Sequence, residues 1–168
     1  IICDGGTILG SSNKANPSRF VAGRAPSGEP IFENATPRCL DTIRRLNLDA
    51  LVIAGGDGTL CAIGSILDAG INCIAVPKTI DNDIWGTDLS FGFLTAVQTA
   101  TDAIDKVRTT ATSHHRIMAV ELMGRNAGWL ALHAGIASGS HIILLPEIPF
   151  HPGRLAEAIK ARAAPLRR

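Results

Sequence analysis

Three short polar stretches hold the residues best suited to chemistry. In Pro77-Lys78-Thr79-Ile80-Asp81-Asn82-Asp83, two carboxylates stand within three residues, beside a lysine and a threonine. Holding two such carboxylates together is costly without cations or a catalytic purpose. One of them suits taking the proton of an attacking hydroxyl while the other orients metal or water. Lys78 and Thr79 suit contact with a transferring phosphoryl group. The ordinary structural alternative is a solvated acidic turn, common for Asp/Asn clusters.

The second stretch, Gly55-Gly56-Asp57-Gly58-Thr59, puts glycines where backbone must approach a ligand closely and then starts a helix. Amides exposed at a helix start attract phosphate. A carboxylate among them is repulsive unless a cation intervenes, so Asp57 is a candidate for a Mg²⁺-linked role with the ion bridging to phosphates. The alternative is a tight strand-to-helix turn capped by Asp57. The third stretch, Met123-Gly124-Arg125-Asn126, offers a close-approach glycine and a guanidinium suited to phosphate oxygens. A lone arginine after a strand is more often a surface residue. Gly5-Gly6-Thr7 and Gly10-Ser11-Ser12 form a further Gly/Ser loop.

The elements that must position these loops are legible as alternating apolar runs and amphipathic stretches. Thr36 is expected to cap a helix with Pro37 at its first position, ended by Asn47. Ala50–Ala54 and Cys73–Val76 read as strands buried on both faces. Between them a helix uses Leu60, Ile63 and Leu67 and stops at Gly70. Leu94, Val97, Ile104 and Val107 mark a long helix. Ile117–Val120 reads as a third strand, 127–138 as a helix ended near Gly139, His141–Leu145 as a fourth strand, and Pro152 as the start of a last helix. Residues 11–36 read as a long surface loop or lid, and Trp85 and Trp129 as packing residues.

This order predicts an α/β fold: a Rossmann-like parallel sheet with helices on both faces. Ligands of such sheets collect at the carboxyl ends of the strands, where the three polar loops emerge. A hinge between two lobes is expected near Gly86–Gly92, dividing the chain into 1–91 and 92–168.

Composition narrows the function. Of 168 residues, 46% are hydrophobic and 18% charged, and 16 Lys+Arg against 15 Asp+Glu give a net charge of +1. Non-specific nucleic-acid and membrane-surface binders need a strong basic excess, so neither partner is expected. No apolar run approaches the ~20 residues of a membrane-spanning helix. Cys3, Cys39, Cys61 and Cys73 form no CxxC pair and read as buried reduced thiols, which predicts a reducing, cytoplasmic location. The start at Ile1 within an apolar Ile-Ile-Cys suggests a piece of a longer protein.

Taken in order, Gly5-Gly6-Thr7-Ile8-Leu9-Gly10-Ser11, Gly55–Thr59, Pro77–Ile84 and Met123-Gly124-Arg125 resemble the 6-phosphofructokinase family over nearly the whole chain. The Thr-Ile-Asp-Asn-Asp stretch is highly specific, whereas the GGDGT pentapeptide is shared with NAD kinases and lipid kinases. The resemblance implies a phosphofructokinase-like fold of two similar lobes, a partial donor lobe (1–91) and a partial sugar-phosphate lobe (92–168). An N-terminal strand with its phosphate loop and a C-terminal sugar-phosphate section would be absent. The implied glycolytic reaction moves phosphate to the 1-hydroxyl of fructose 6-phosphate, giving fructose 1,6-bisphosphate.

By that resemblance Asp81 is the base, Asp57 binds Mg²⁺ on the donor phosphates, and Asp83 lies close to the reacting centre. Thr79 hydrogen-bonds the transferring phosphate, and Met123, Gly124 and Arg125 line the sugar side. Arg116 matches an arginine that reaches the sugar 6-phosphate of a neighbouring subunit, which implies a homo-oligomer. Gly56, Asp57, Gly58 and Thr59 would hold the donor, with Lys14 standing near where ATP enzymes often place an arginine. The donor markers divide. Gly58 leaves room for an inner phosphate of ATP, whereas Lys78 is typical of pyrophosphate enzymes, as in the subgroup containing both kinds. ATP is the expected donor and pyrophosphate the alternative. A kinase of NAD or diacylglycerol would share only the first loop, and a degenerate regulatory subunit would have lost Asp81 or Asp57.

Overall fold

In the computed structural model, residues 16–163 are described together with Gly6, Ile8 and Gly10. Lys14 and the rest of the opening Gly/Ser loop lie outside the described residues, as does Cys3. The backbone divides into two compact units, Ile1–Pro77 and Lys78–Arg168.

The first unit opens on a 3₁₀ turn, Pro17–Arg19, whose Ser18 N–H is accepted by Asn16 Oδ1 at 2.9 Å. Strands β1 (Phe20–Arg24) and β2 (Pro30–Glu33) form an antiparallel hairpin with an irregularity between Val21 and Gly23. The sequence reading makes 11–36 a long surface loop or lid. Its Ser, Pro and Gly content hid two short, mostly exposed strands that lack a buried alternating face. The turn between them needs Gly28 at φ 88°, with its N–H donating to Ala25 O at 2.8 Å.

Helix α1 (Thr36–Arg45) carries Pro37 in its first turn, but its cap is Ala35, not Thr36. Asn34 Oδ1 already accepts the Thr36 N–H at 3.0 Å, and the buried Thr36 hydroxyl turns to Ser65 Oγ at 3.1 Å. Asn47 ends the helix in the left-handed region, φ 50°, with paired bonds from Asn47 N–H to Arg44 O and Leu48 N–H to Ile43 O. Strand β3 (Leu51–Gly55) leads into α2 (Asp57–Ala62) and α3 (Gly64–Asp68), two short helices in place of the single one expected. Gly70, at φ 80°, stops the second of them.

Strand β4 (Cys73–Thr79) pairs parallel with β3, from Leu51↔Cys73 to Gly55↔Pro77. Its last two residues pair parallel with β5 (Phe91–Gly92), giving the order β3-β4-β5. The fold is therefore α/β with a parallel sheet. The strands are not buried on both faces, however: Val52 and Ile74, opposite one another in the ladder, are 73% and 61% exposed. Ala35 at the cap of α1, Ile43 of α1, Ile63 between α2 and α3, and Ile66 of α3 are the buried apolar residues of this unit among those described.

The second unit is built on α4 (Phe93–Ser113), α5 (Trp129–Ala137) and α6 (Pro152–Ala163). Phe93 and Ala100 of α4 and Leu130 and Ala134 of α5 form its core, and Val97 and Ile104 pack against it. Leu94 faces away and is exposed, because the buried stripe follows positions 93, 97, 100 and 104. Gly139, at φ 64°, ends α5 as expected.

Ile117–Val120 and His141–Leu145 are not strands among the described residues. A strand exists through its ladder, and neither segment has a hydrogen-bonded neighbour there. The compact units part at Pro77/Lys78, ahead of the 91/92 position expected for the lobes. Residues 78–92 belong with α4 because Ile80 packs on its core and Ser90 N–H and hydroxyl bind back to Asn82 and Thr79. The cysteines differ too: Cys61, on the short helix α2, is exposed, and Cys39 on α1 and Cys73 at the start of β4 are half-buried.

Candidate active site

Strand β4 delivers the acidic loop. Lys78, exposed, and Thr79, half-buried, are its last residues, and the chain leaves the sheet at Thr79 to return at Phe91. Side chains close this excursion. Thr79 Oγ1 accepts the Asp81 N–H at 3.2 Å, and Ser90 Oγ donates to Thr79 O at 2.8 Å. Ser90 N–H donates to Asn82 Oδ1 at 2.8 Å, and Asn82 Nδ2 donates to Asp88 O at 3.3 Å. Asn82 sits at φ 53°, a left-handed conformation that asparagine tolerates better than most residues.

Asp81 and Asp83 therefore flank a pinned residue. The Asp81 carboxyl is held above the ordinary pKa of an aspartate, first by partial burial and then by the negative charge of Asp83. A carboxylate made more basic in this way is a better proton acceptor. Trp85, in the same loop, is 98% exposed and so is no packing residue. Trp129 is half exposed, its ring 6.2 Å from that of His133.

The Met123 loop stands on the same unit. Leu122 packs against the cluster formed by Phe93, Ala100, Leu130 and Ala134, as Ile80 does. Two loops distant in sequence are thus tethered to one core, each through the apolar residue just before its polar ones. Gly124 adopts φ 138° and Arg125 φ 50°, and Ala127 N–H closes the turn on Gly124 O at 2.8 Å. A Cβ at Gly124 would collide with the Ala127 carbonyl oxygen, which explains the glycine. Met123 and Arg125 are exposed and Gly124 is buried. After the turn, Gly128 N–H donates to Glu147 Oε1 at 2.7 Å, anchoring the start of α5.

Arg116 follows the end of α4. His115, at φ 51°, donates its N–H to Thr112 O and Arg116 N–H donates to Ala111 O at 2.9 Å, the paired pattern of a left-handed helix stop. The stop fixes the Arg116 backbone and leaves its side chain exposed.

In the first unit, Gly55 ends β3 and Gly56 is the N-cap of α2, followed by Asp57, Gly58 and Thr59 in its first turn. Asp57 is the first helical residue, not the cap, and Gly56 lets the chain enter without a side chain in the way. A Cβ at Gly55 would lie 2.6 Å from Thr59 Oγ1, so strand end and helix start touch only because Gly55 has none. A Cβ at Gly58 would meet nothing within 4 Å, so this glycine borders open space.

Asp57 is exposed and forms no ion pair among the described residues. Its only close side-chain partner there is the Cys61 thiol, 3.8 Å from Oδ1. Mg²⁺ takes oxygen ligands, keeps several waters, and is commonly held by one or two carboxylates plus substrate phosphates. An accessible aspartate at a loop-to-helix junction fits that pattern. Among the described residues no group of three or more His, Cys, Asp or Glu gathers to hold a metal. Phosphate oxygens and water would complete any shell.

Lys78, Thr79, Asp81, Asp83, Arg116, Met123, Gly124 and Arg125 belong to the second unit, and Gly56–Thr59 to the first. Sequence reading overlooked Asn82 and Ser90 as the residues that close the acidic loop. The Asx character of Asn82 hints at a turn role, but Ser90 carries no signal at all until the loop is folded.

Comparison with known proteins places the chain as a whole. The model of the family described as "Phosphofructokinase" matches residues 1–168. The chain is 47% identical over 162 residues to the ATP-dependent 6-phosphofructokinase 2 of Clostridium perfringens, covering 96% of this chain and 44% of that protein. It is 48% identical over 164 residues to the ATP-dependent 6-phosphofructokinase of Propionibacterium freudenreichii, covering 98% of this chain and 42% of that protein. It therefore spans less than half the length of these relatives. Among solved structures, Pichia pastoris phosphofructokinase in the T-state superposes with a TM-score of 0.66 at 28% identity, over 75% of this chain and 14% of that one. The pyrophosphate-dependent phosphofructokinase of Marinobacter aquaeolei gives 0.64 at 28% identity, over 82% and 39%. With the family model matched from end to end, the chain belongs to the phosphofructokinase family.

Proposed function

We propose that the protein containing this chain phosphorylates fructose 6-phosphate at its 1-hydroxyl, with ATP as donor, to give fructose 1,6-bisphosphate. The observation that carries this reading is the Asp81 carboxylate. It stands just beyond the end of a parallel strand, in a side-chain-closed loop, and burial and Asp83 make it more basic than an ordinary aspartate. Asp81 takes the proton of the sugar hydroxyl as its oxygen attacks the terminal phosphorus, and the bond from that phosphorus to the rest of the donor breaks. Lys78 and Thr79 face the charge on the transferring group. Met123, Gly124 and Arg125 orient the sugar phosphate, and Gly56, Asp57, Gly58 and Thr59 hold the donor together with Lys14. Bound Mg²⁺ at Asp57 would neutralise donor phosphate charge.

Positioning and charge neutralisation are what this reaction requires of a protein. Arg116, fixed by its helix stop and exposed, serves a neighbouring subunit's sugar phosphate, so the working enzyme is a homo-oligomer. A cytoplasmic location accords with a glycolytic role. No helix among the described residues is long and apolar enough to cross a membrane.

Open space at Gly58 favours ATP, as do the two similar bacterial proteins described above, both ATP-dependent 6-phosphofructokinases. Pyrophosphate remains the second reading because Lys78 is exposed at the strand end and a pyrophosphate-dependent enzyme superposes on this chain. A coupled assay of the full-length protein with each donor decides between them. Asp81→Asn in that assay should remove most of the turnover while KM for the sugar phosphate stays near wild type. Near-normal turnover in that variant would refute the base assignment.

A further inference from the structure

The acidic loop has a latch of its own. Ser90 is only 5% exposed, and its hydroxyl lies 2.8 Å from Thr79 O and 3.3 Å from Asn82 Oδ1. A hydroxyl has one proton, and the shorter contact takes it. Asn82 Oδ1 is then satisfied by the Ser90 N–H at 2.8 Å, while Asn82 Nδ2 donates to Asp88 O. The amide orientation is forced, because the reverse would aim an NH₂ group at the Ser90 N–H. Thr79 in turn receives the Asp81 N–H on its side chain. Both ends of the excursion and the residue between the two aspartates are therefore locked by one buried hydroxyl and one carboxamide.

We propose that Ser90 and Asn82 are positioning residues that hold the Asp81 carboxylate in line with the acceptor hydroxyl, and that they act in catalysis only through Asp81. The inference rests on the reading of Asp81 as base. Solvent does not readily take the place of the buried Ser90 hydroxyl, and a partly buried carbonyl left without its donor is costly. Loss of the latch lets the loop shift, and a displacement of about 1 Å at a reacting group costs about 100-fold in rate. Sugar-phosphate binding depends on other side chains, so the loss falls on kcat.

The test is steady-state kinetics on the full-length protein with fructose 6-phosphate and the better donor. Ser90→Ala should lower kcat by about 10- to 100-fold, with KM for the sugar phosphate changed by no more than about twofold. Ser90→Thr, which keeps the hydroxyl, should recover most of that loss. Asn82→Gly provides a second route, because glycine accepts the φ 53° backbone and removes only the carboxamide. It should show the same kcat-specific loss, and the double variant should be no worse than either single one. Thermal melts identify any variant that fails to fold, and the remaining variant then carries the test. Wild-type kcat in a folded Ser90→Ala or Asn82→Gly protein, with Asp81→Asn inactive, overturns the latch and spares the base. A fully active Asp81→Asn protein overturns both.

Discussion

At the scale of single residues, the pair Asp81 and Asp83 sets the acid–base behaviour. Partial burial of Asp81 disfavours its charged form and the negative charge of Asp83 adds to the effect, so the proton affinity of Asp81 rises. The base must be deprotonated to work, hence the acid limb of kcat/KM should lie above the range of an ordinary aspartate. Asp83→Asn removes the neighbouring charge and should move that limb to lower pH, a shift measurable in a pH–rate profile. Stability follows the same sign. Folded protein binds the Asp81 proton more tightly than unfolded chain, so this group's contribution is full at low pH and is lost as pH rises through the folded-state value. Lys78 separates the donors: Lys78→Gly should lower kcat/KM with both, because Lys78 faces the transferring group, but by at least about tenfold more with pyrophosphate than with ATP, the size of one lost charge-assisted hydrogen bond. Equal effects on both donors would remove its role as a donor marker. The types and spacing of these residues were readable directly. The raised basicity of Asp81 was not, because burial is a property of the folded loop.

At the scale of elements, helix stops and strand ends place the chemistry. Asn47, Gly70 and Gly139 were legible as terminators because each adopts a positive φ that few residues accept. His115 does the same at the end of α4 and was missed, since histidine is an uncommon choice there; its consequence is the fixed backbone of Arg116. Gly124 combines a φ of 138° with a carbonyl oxygen where its Cβ would be. Gly124→Ala should therefore cost about 1–3 kcal/mol, seen as a lower Tm, and should raise KM for the sugar phosphate by displacing Met123 and Arg125. An unchanged melt would show that the turn relaxes freely.

At the scale of the whole molecule, the chain covers 44% of the Clostridium perfringens relative, and several apolar side chains that ordinarily lie within a sheet are open. Val52 and Ile74 face solvent across the β3–β4 ladder, and Ile117, Met118 and Val120 are exposed in a segment without ladder partners. Exposed apolar side chains of this kind favour association. The 168-residue chain expressed alone should self-associate in size-exclusion chromatography and show no turnover in the coupled assay, with the full-length protein as positive control. A monodisperse, active monomer would contradict both expectations.

The sequence by itself determined the α/β class, most helices, the first two parallel strands and the three polar loops. Each of these is written in local periodicity, in turn-forming residues or in short runs of polar side chains. Tertiary structure decided what depends on partners. The hairpin at 20–33 exists because two weak strands find each other, and 117–120 and 141–145 lack ladders because strands require neighbours. Packing of Ile80 and Leu122 on the Phe93 core is what brings the acidic loop and the Met123–Arg125 turn onto one scaffold. Ser90, silent in the sequence, became the latch of the acidic loop only when eleven residues of chain folded back to Thr79. Hydrogen bonds and burial between distant residues are set by how the chain closes on itself, and no local pattern records them.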